Sequence, residues 1–124
     1  MSELSLPVLN PEDERGREEI ARELRQLIDG DVRFDRHDRM LYATDASIYQ
    51  VEPIGVVLPK HAGDVEAVVR YATERRIAML PRGGGTSLAG QAVNTAIVLD
   101  FSRYCDAVVE IEADARIARV QPGV

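Results

Sequence analysis

Residues 55–80 carry an apolar run, an amphipathic helical stripe and a second apolar run, and no other feature narrows the fold as far. Val56-Val57-Leu58 reads as a short buried strand stopped by Pro59. Val65, Val68, Val69 and Ala72 then share one stripe of a helix, with Gly63 near its start and Asp64 and Glu66 in the first turn, where carboxylates complement the helix dipole. Ile77-Ala78-Met79-Leu80 follows and ends at Pro81. A strand, a helix and a strand joined at this length imply parallel pairing through a right-handed crossover, because parallel neighbours need a long connection. The class is therefore α/β (α+β), with the valine stripe as core.

The flanks add a helix before this unit and strands after it. Asn10 suits an N-cap, Pro11 the first helical position, and Glu12, Asp13 and Glu14 the positive end of the dipole. Ile20, Leu24, Leu27 and Ile28 fall at helical spacing before Gly30 ends the element, and the opposite face of Arg and Glu is a solvated surface. Residues 31–53 have too few apolar neighbours to fix a period and read as irregular with a short helical turn. Ala96 to Asp100 reads as a third strand. Ala107 to Glu112 and Arg116 to Gln121 read as a hairpin joined through Ala113-Asp114-Ala115. The expected architecture is a small parallel sheet extended by that hairpin and preceded by the N-terminal helix. The sequence stops at Pro122-Gly123-Val124, directly after a strand and without a polar tail, as part of a larger domain would.

At 124 residues the chain has room for one domain, and 45% hydrophobic residues supply one real core. Fifteen Lys and Arg against twenty-one Asp and Glu leave a net charge of −6, which argues against nucleic acid or an anionic membrane surface as a partner. An anionic ligand would have to be held locally. Cys105 has no partner for an intrachain disulfide, and with only His37 and His61 beside it there is no zinc cluster. The start at Met1 to Leu4 lacks a basic region and a long apolar stretch, and no apolar run approaches the length of a membrane span. These features imply a reducing, cytoplasmic setting.

One loop carries chemistry: Pro81-Arg82-Gly83-Gly84-Gly85-Thr86-Ser87-Leu88-Ala89-Gly90-Gln91. Three successive glycines after a strand let backbone N–H groups approach a ligand with no side chains in the way, as a phosphate cradle requires. Thr86, Ser87 and Gln91 add neutral donors, while Arg82 adds a charge or fixes the loop. Gly85 and Gly90 have the glycine spacing of a P-loop, but Gln91 and Ala92 stand where Lys and Ser or Thr are required. The dinucleotide fingerprint fails too: Leu88 occupies the third glycine position, and strand residues resume at Ala96, too soon for a full helix. The loop's own amides would have to hold the anion.

That loop resembles the FAD pyrophosphate loop of flavoproteins of the vanillyl-alcohol oxidase type. The branch it resembles most comprises FAD-linked oxidases that include glycolate oxidase subunits and D-lactate and D-2-hydroxyglutarate dehydrogenases. Tyr42-Ala43-Thr44-Asp45-Ala46-Ser47 is similar to the segment before the first strand in that branch, Val57-Leu58-Pro59 to the end of that strand, and Val120-Gln121-Pro122-Gly123-Val124 to a flavin-contacting turn. The resemblance covers about residues 40–124, and implies residues 1–38 as a helical extension and 39–124 as the first, incomplete part of an FAD-binding domain. By position it places Arg82, Gly83, Gly84, Gly85, Thr86, Ser87, Gly90 and Gln91 on the pyrophosphate, Pro59 near the adenine or ribose end, and Pro122 and Gly123 near the flavin.

The resemblance implies an oxidoreductase acting on a 2-hydroxy acid, with an unidentified electron acceptor and the catalytic residues outside this sequence. Some relatives attach the flavin through a His in the matching loop; Thr86 stands there, which implies non-covalent FAD. Relatives are often fused to an iron–sulfur segment, for which a single cysteine supplies no ligand set here. Two alternatives stay open: a non-catalytic nucleotide- or phosphate-binding module, and another enzyme on the same fold, such as a UDP-sugar enolpyruvyl reductase or a sugar-lactone oxidase. His37 and His61 read as surface residues and Cys105 as a small core or edge residue. Asp45-Ala46-Ser47 fits a turn cap and a ligand contact equally well.

Overall fold

The computed structural model describes residues 9–124, so the expectation for the start at Met1 to Leu4 lies outside the described residues. Helix α1 spans Glu14–Leu27 and is capped by Asp13, whose carboxylate accepts from Gly16 N at 2.6 Å, rather than by Asn10. Asn10 sits in the turn before, where its side-chain oxygen accepts from Glu12 N. The helix closes at Ile28 and buries Ile20, Ala21 and Leu24. The stretch read as irregular with a short helical turn holds that turn as helix α2, Arg36–Leu41, capped by Asp35, and also strand β1, Asp31–Arg33, which the reading did not contain. β1 escapes a pattern search because only Val32 of its three residues is buried.

The central unit forms as expected: β2 is Gly55–Leu58, α3 is Ala62–Arg75 and β3 is Met79–Arg82. His61 caps α3, and Arg76 ends it in the left-handed conformation (φ 55°). Val68 and Ala72 are buried, but Val69 is exposed, and Tyr71 takes the place in the core that the stripe gave to it. Strand β4 is Ile97–Asp100, and β5 (Val108–Glu112) and β6 (Ile117–Val120) make the hairpin.

The four-stranded sheet has the order β1-β2-β4-β3. β1 runs antiparallel to β2, while β2, β4 and β3 run parallel. β2 and β3 are thus parallel members of one sheet, but they do not pair directly as the strand-helix-strand spacing had implied; β4 lies between them. Burial explains the swap. Every residue of Ile97–Asp100 is buried, so β4 gains most at the centre, whereas β3 is only half covered and contains Pro81, which an edge strand tolerates. β5 and β6 pair as their own two-stranded antiparallel sheet, with every residue exposed.

On one face of the larger sheet Val57, Ile97 and Leu99 pack under α1 and α3 through Ile20, Leu24, Val68 and Ala72. On the other face Val56, Leu58 and Val98 pack with Tyr42, Leu80 and Tyr104. α1 and β1 are therefore integral to this sheet's core. No helix among the described residues is long and apolar enough to cross a membrane.

Candidate cofactor site

Because β2, β4 and β3 are parallel, their carboxyl ends lie along one edge, where open α/β sheets bind ligands. Pro59 follows β2, Phe101 follows β4, and Gly83 opens the glycine loop after β3. That loop, residues 83–96, is itself the connection between the adjacent parallel strands β3 and β4.

Arg82, the last residue of β3, fixes the loop from below. Its guanidinium donates to the carbonyls of Ala92 (2.9 Å), Thr44 (2.9 Å) and Tyr42 (3.4 Å), and lies over the Tyr42 ring. Gly85 crosses directly above it with φ +66°, and a Cβ there would come within 2.4 Å of the guanidinium. Only glycine takes that conformation without strain and leaves that space. Ser87 and Gln91 spend their side chains on each other, Ser87 Oγ pairing with Gln91 Oε1 and accepting from Gln91 N. Gly90 lies against the Tyr49 ring.

What remains is a row of backbone donors. Among the described residues, none of the N–H groups of Gly83, Gly84, Gly85, Thr86 and Ser87 meets an acceptor within the chain. Gly84 shows a second feature: a Cβ built on it meets nothing nearer than the Thr86 methyl at 3.5 Å, and its φ is not positive. The chain's own packing does not demand glycine there, whereas a ligand seated on the amides would. Five uncommitted N–H groups suit a polyanion in a protein of negative net charge, so this edge fits a pyrophosphate.

The remaining predicted residues converge on the same edge. A Cβ on Gly83 would lie 3.4 Å from the Pro122 carbonyl, which puts the Pro122-Gly123 turn beside the loop. Gly123 N donates to the Cys105 carbonyl, and a Cβ on Gly123 would fall 2.3 Å from the Phe101 carbonyl, so the turn can sit this close only as glycine. The Cys105 thiol in turn donates to the carbonyl of Pro59. Burial pushes the Cys105 thiol up from its ordinary value, and it is a core residue, as its pattern implied.

Near this edge Tyr42 and Asp100 carry no obvious signal in the sequence, and Asp45 read equally as a turn cap or a ligand contact. Tyr42 donates to the buried Asp100 carboxylate at 2.5 Å, and burial, then that bond, pushes the phenol up to about 12. Asp100 also accepts from Ser102 N and Oγ, so its oxygens are occupied. Asp45 accepts from Ser47 N (2.8 Å) and Ala92 N (3.3 Å), and its bonds to Ser47 hold its carboxyl below the ordinary range. The available hint for it is the spacing of Asp45, Ser47 and Tyr49, which suits successive side-chain turns.

A second cluster lies on another turn. Asp29, His61 and Asp64 bring one ligand atom each within 4.8 Å of one another. Each atom already has work: Asp64 accepts from Asp29 N and Lys60 N, while His61 Nδ1 accepts from Asp64 N and its Nε2 donates to Asp29. The cluster braces the entry to α3. Two cavities of about 550 and 520 Å³ lie between α1 and α3 and between α1 and α2, away from the strand ends.

Residues 53–124 match the FAD binding domain family, more than half of the chain. The chain belongs to the FAD binding domain family. D-2-hydroxyglutarate dehydrogenase of Escherichia coli K12 is 41% identical to this FAD binding domain chain over 98 residues, which cover 77% of the chain and 10% of that protein. The glycolate oxidase subunit GlcD of Bacillus subtilis is 32% identical over 102 residues, 78% of the chain and 22% of the subunit. The chain thus spans about a tenth to a fifth of the length of these relatives. Among solved structures, p-cresol methylhydroxylase with substrate bound superposes with a TM-score of 0.75 at 21% identity, over 94% of the chain and 24% of that protein. Alkyldihydroxyacetonephosphate synthase gives 0.72 at 22% identity, over 86% and 23%. These two establish the fold, and the family makes FAD the cofactor.

Proposed function

We propose that residues 39–124 form the first part of an FAD site, whose sheet and core α1 and β1 complete, in an oxidoreductase that oxidises a 2-hydroxy acid. The observation that carries the reading is the row of uncommitted N–H groups from Gly83 to Ser87 at the carboxyl edge of three parallel strands. These amides, with Thr86, take the pyrophosphate. Arg82 acts from beneath, since its donors hold three carbonyls, and Ser87, Gly90 and Gln91 keep the loop's return path in shape. Pro59, at the end of β2, faces the adenine or ribose end, and Pro122 and Gly123 approach the flavin. Attachment is non-covalent, because Thr86 is no nucleophile without a base.

FAD, when bound, supplies the acceptor for a hydride from the carbon that bears the substrate hydroxyl. The chain's part is to bind and orient it; no residue described here is placed to move the substrate's proton. The names of the relatives at 32% and 41% identity support glycolate or D-2-hydroxyglutarate as the substrate type, and D-lactate is a third acid of the same class. A cytoplasmic location, a separate electron acceptor and an iron–sulfur segment elsewhere in the whole protein belong to the same reading. The test is to purify the full-length protein, measure bound FAD and assay dye-coupled oxidation of the three acids. One FAD per chain with turnover of at least one acid is expected. A flavin-loaded protein inactive on every 2-hydroxy acid overturns the substrate class, and a protein that takes up no FAD overturns the site.

A further inference from the structure

The loop that carries the uncommitted amides is held in place by a neighbouring segment, residues 43–51. Residues 43–51 close on themselves through Val51 N to the Ala43 carbonyl and a bridge between Thr44 and Gln50. Inside that closed loop the side chains form a relay. Asp45 accepts from Ser47 N, and Ser47 Oγ accepts from Tyr49 N. The Tyr49 ring then packs against Gly90, where φ is +81° and a Cβ would come within 2.7 Å of the ring. Two bonds cross to the glycine loop: Ala46 N donates to the Gly85 carbonyl at 3.1 Å, and Ala92 N donates to Asp45 at 3.3 Å. The glycine loop is therefore gripped near its crest by Ala46, on its return by Asp45 and Tyr49, and at its base by Arg82.

A carboxylate beside a pyrophosphate is an electrostatic penalty, because like charges repel. Asp45 is half-buried, next to the loop, and of the same sign as the proposed ligand. We propose that Asp45 is a positioning residue for the cofactor: its two oxygens hold Ser47 and Ala92 at once, so that the Gly83 to Ser87 amides converge before any ligand arrives. The inference rests on the FAD reading of the loop and adds to it the group that preforms it. The two N–H donors explain why the residue is an acid. An ionised carboxylate offers an acceptor on each oxygen, whereas an amide offers one oxygen and turns an N–H donor towards the second partner. The lowered pKa of Asp45 agrees, since bonds from Ser47 and Ala92 favour the ionised form.

Charge and geometry make opposite predictions for Asp45→Asn. Removing a negative charge beside a pyrophosphate tightens FAD binding if Asp45 is only a neighbour. Losing the grip on Ala92 weakens it if Asp45 positions the loop. Asp45→Glu separates the two further, because it keeps the charge and moves the oxygens by one methylene. The experiment uses the full-length protein stripped of flavin, with two readouts: the FAD dissociation constant by quenching of flavin fluorescence, and hydrogen exchange of peptides spanning residues 43–51 and 87–96 without FAD. The expected result is FAD binding about fivefold weaker in both variants, the size of one intramolecular hydrogen bond, with faster exchange at Ala46 and Ala92. Unchanged exchange, or a dissociation constant equal to or below that of the unaltered protein in Asp45→Asn, overturns the proposal. If the unaltered protein binds no FAD, the FAD reading itself fails, and the exchange of the flavin-free variants still decides whether Asp45 holds the loop.

Discussion

Gly84 and Gly85 stand side by side in the loop and are glycines for different reasons, which makes their variants diagnostic. Gly85 needs its hydrogen because φ is +66° and the Arg82 guanidinium fills the place of a Cβ. Gly85→Val therefore strains the loop and displaces Arg82 from three carbonyls, and FAD content after purification should fall to a small fraction of normal. Normal FAD content would refute this account. Gly84 has open space on the side where a Cβ would project. Gly84→Ala should leave folding stability within about 0.5 kcal/mol, as for surface changes generally, yet weaken FAD binding. Thermal melting with FAD titration checks both halves, and unchanged affinity would mean that the ligand does not pass over Gly84. His61 gives a pH effect of definite sign. The bond to Asp29, with Asp64 nearby, raises its pKa above the ordinary value near 6.5, so the stabilisation from the Asp29 pairing is complete below that value and is lost as pH rises through the raised pKa, whereas the Nδ1 cap on Asp64 N belongs to the neutral ring. An NMR titration should place His61 above 6.5, and a value at or below 6.5 would count against the pairing. At this scale the glycines of the loop were legible in the sequence because their chemistry is local. Arg82 and Asp45 were each legible only as two alternatives, the bond of Asp45 to Ser47 being the turn that one of them described, and Tyr42 and Asp100 were not, because they meet across 58 residues.

At the scale of elements the helical periodicities survived, as did the short strands β2 to β6, and β1 did not. α1 and α3 announce themselves by apolar spacing over four turns. β1 has one buried residue and leaves no alternation to find, while α2 buries none and so showed only as a short helical turn without fixed bounds. α1 also shows what periodicity alone leaves out, because its apolar face packs on the same core as β2 and β4 rather than forming a detachable extension. Leu24, fully buried in that contact, should cost about 2–5 kcal/mol when replaced by Ala. Urea unfolding measures it, and a loss below about 1 kcal/mol would mean that α1 is peripheral to the sheet. The order of the strands was the largest gap. Pairing order depends on which strand gains most from being covered on both faces, and that is a comparison among strands, not a property of any one of them.

At the scale of the molecule, the described chain supplies an anchor and no enclosure. Its amides meet a pyrophosphate, but a flavin ring needs an apolar, water-excluding pocket. The β5–β6 hairpin exposes Val108, Val109, Ile111, Ile117 and Val120 instead of covering them. A polypeptide of these 124 residues should therefore retain FAD weakly, tend to aggregate and show no turnover with glycolate, D-lactate or D-2-hydroxyglutarate in the presence of added FAD. Turnover by this polypeptide would overturn that argument. In the full-length protein, acid precipitation should leave the yellow colour in the supernatant, and colour kept in the pellet would contradict non-covalent attachment.

The position of β4 between β2 and β3 has a consequence for how the protein is made. During synthesis β2 and β3 leave the ribosome first, and neither has its central partner until Ile97–Asp100 emerges. Until then their apolar edges are open, and the crossing α3 has only half a sheet to rest on. Contacts of such sequence separation form slowly, and the waiting edges are what chaperones bind. The insertion of β4 also fixes both ends of residues 83–96 on two neighbouring strands. The cradle is thus a product of the step that closes the sheet, and a nascent chain halted before Ile97 has no parallel sheet and nothing with which to grip a cofactor.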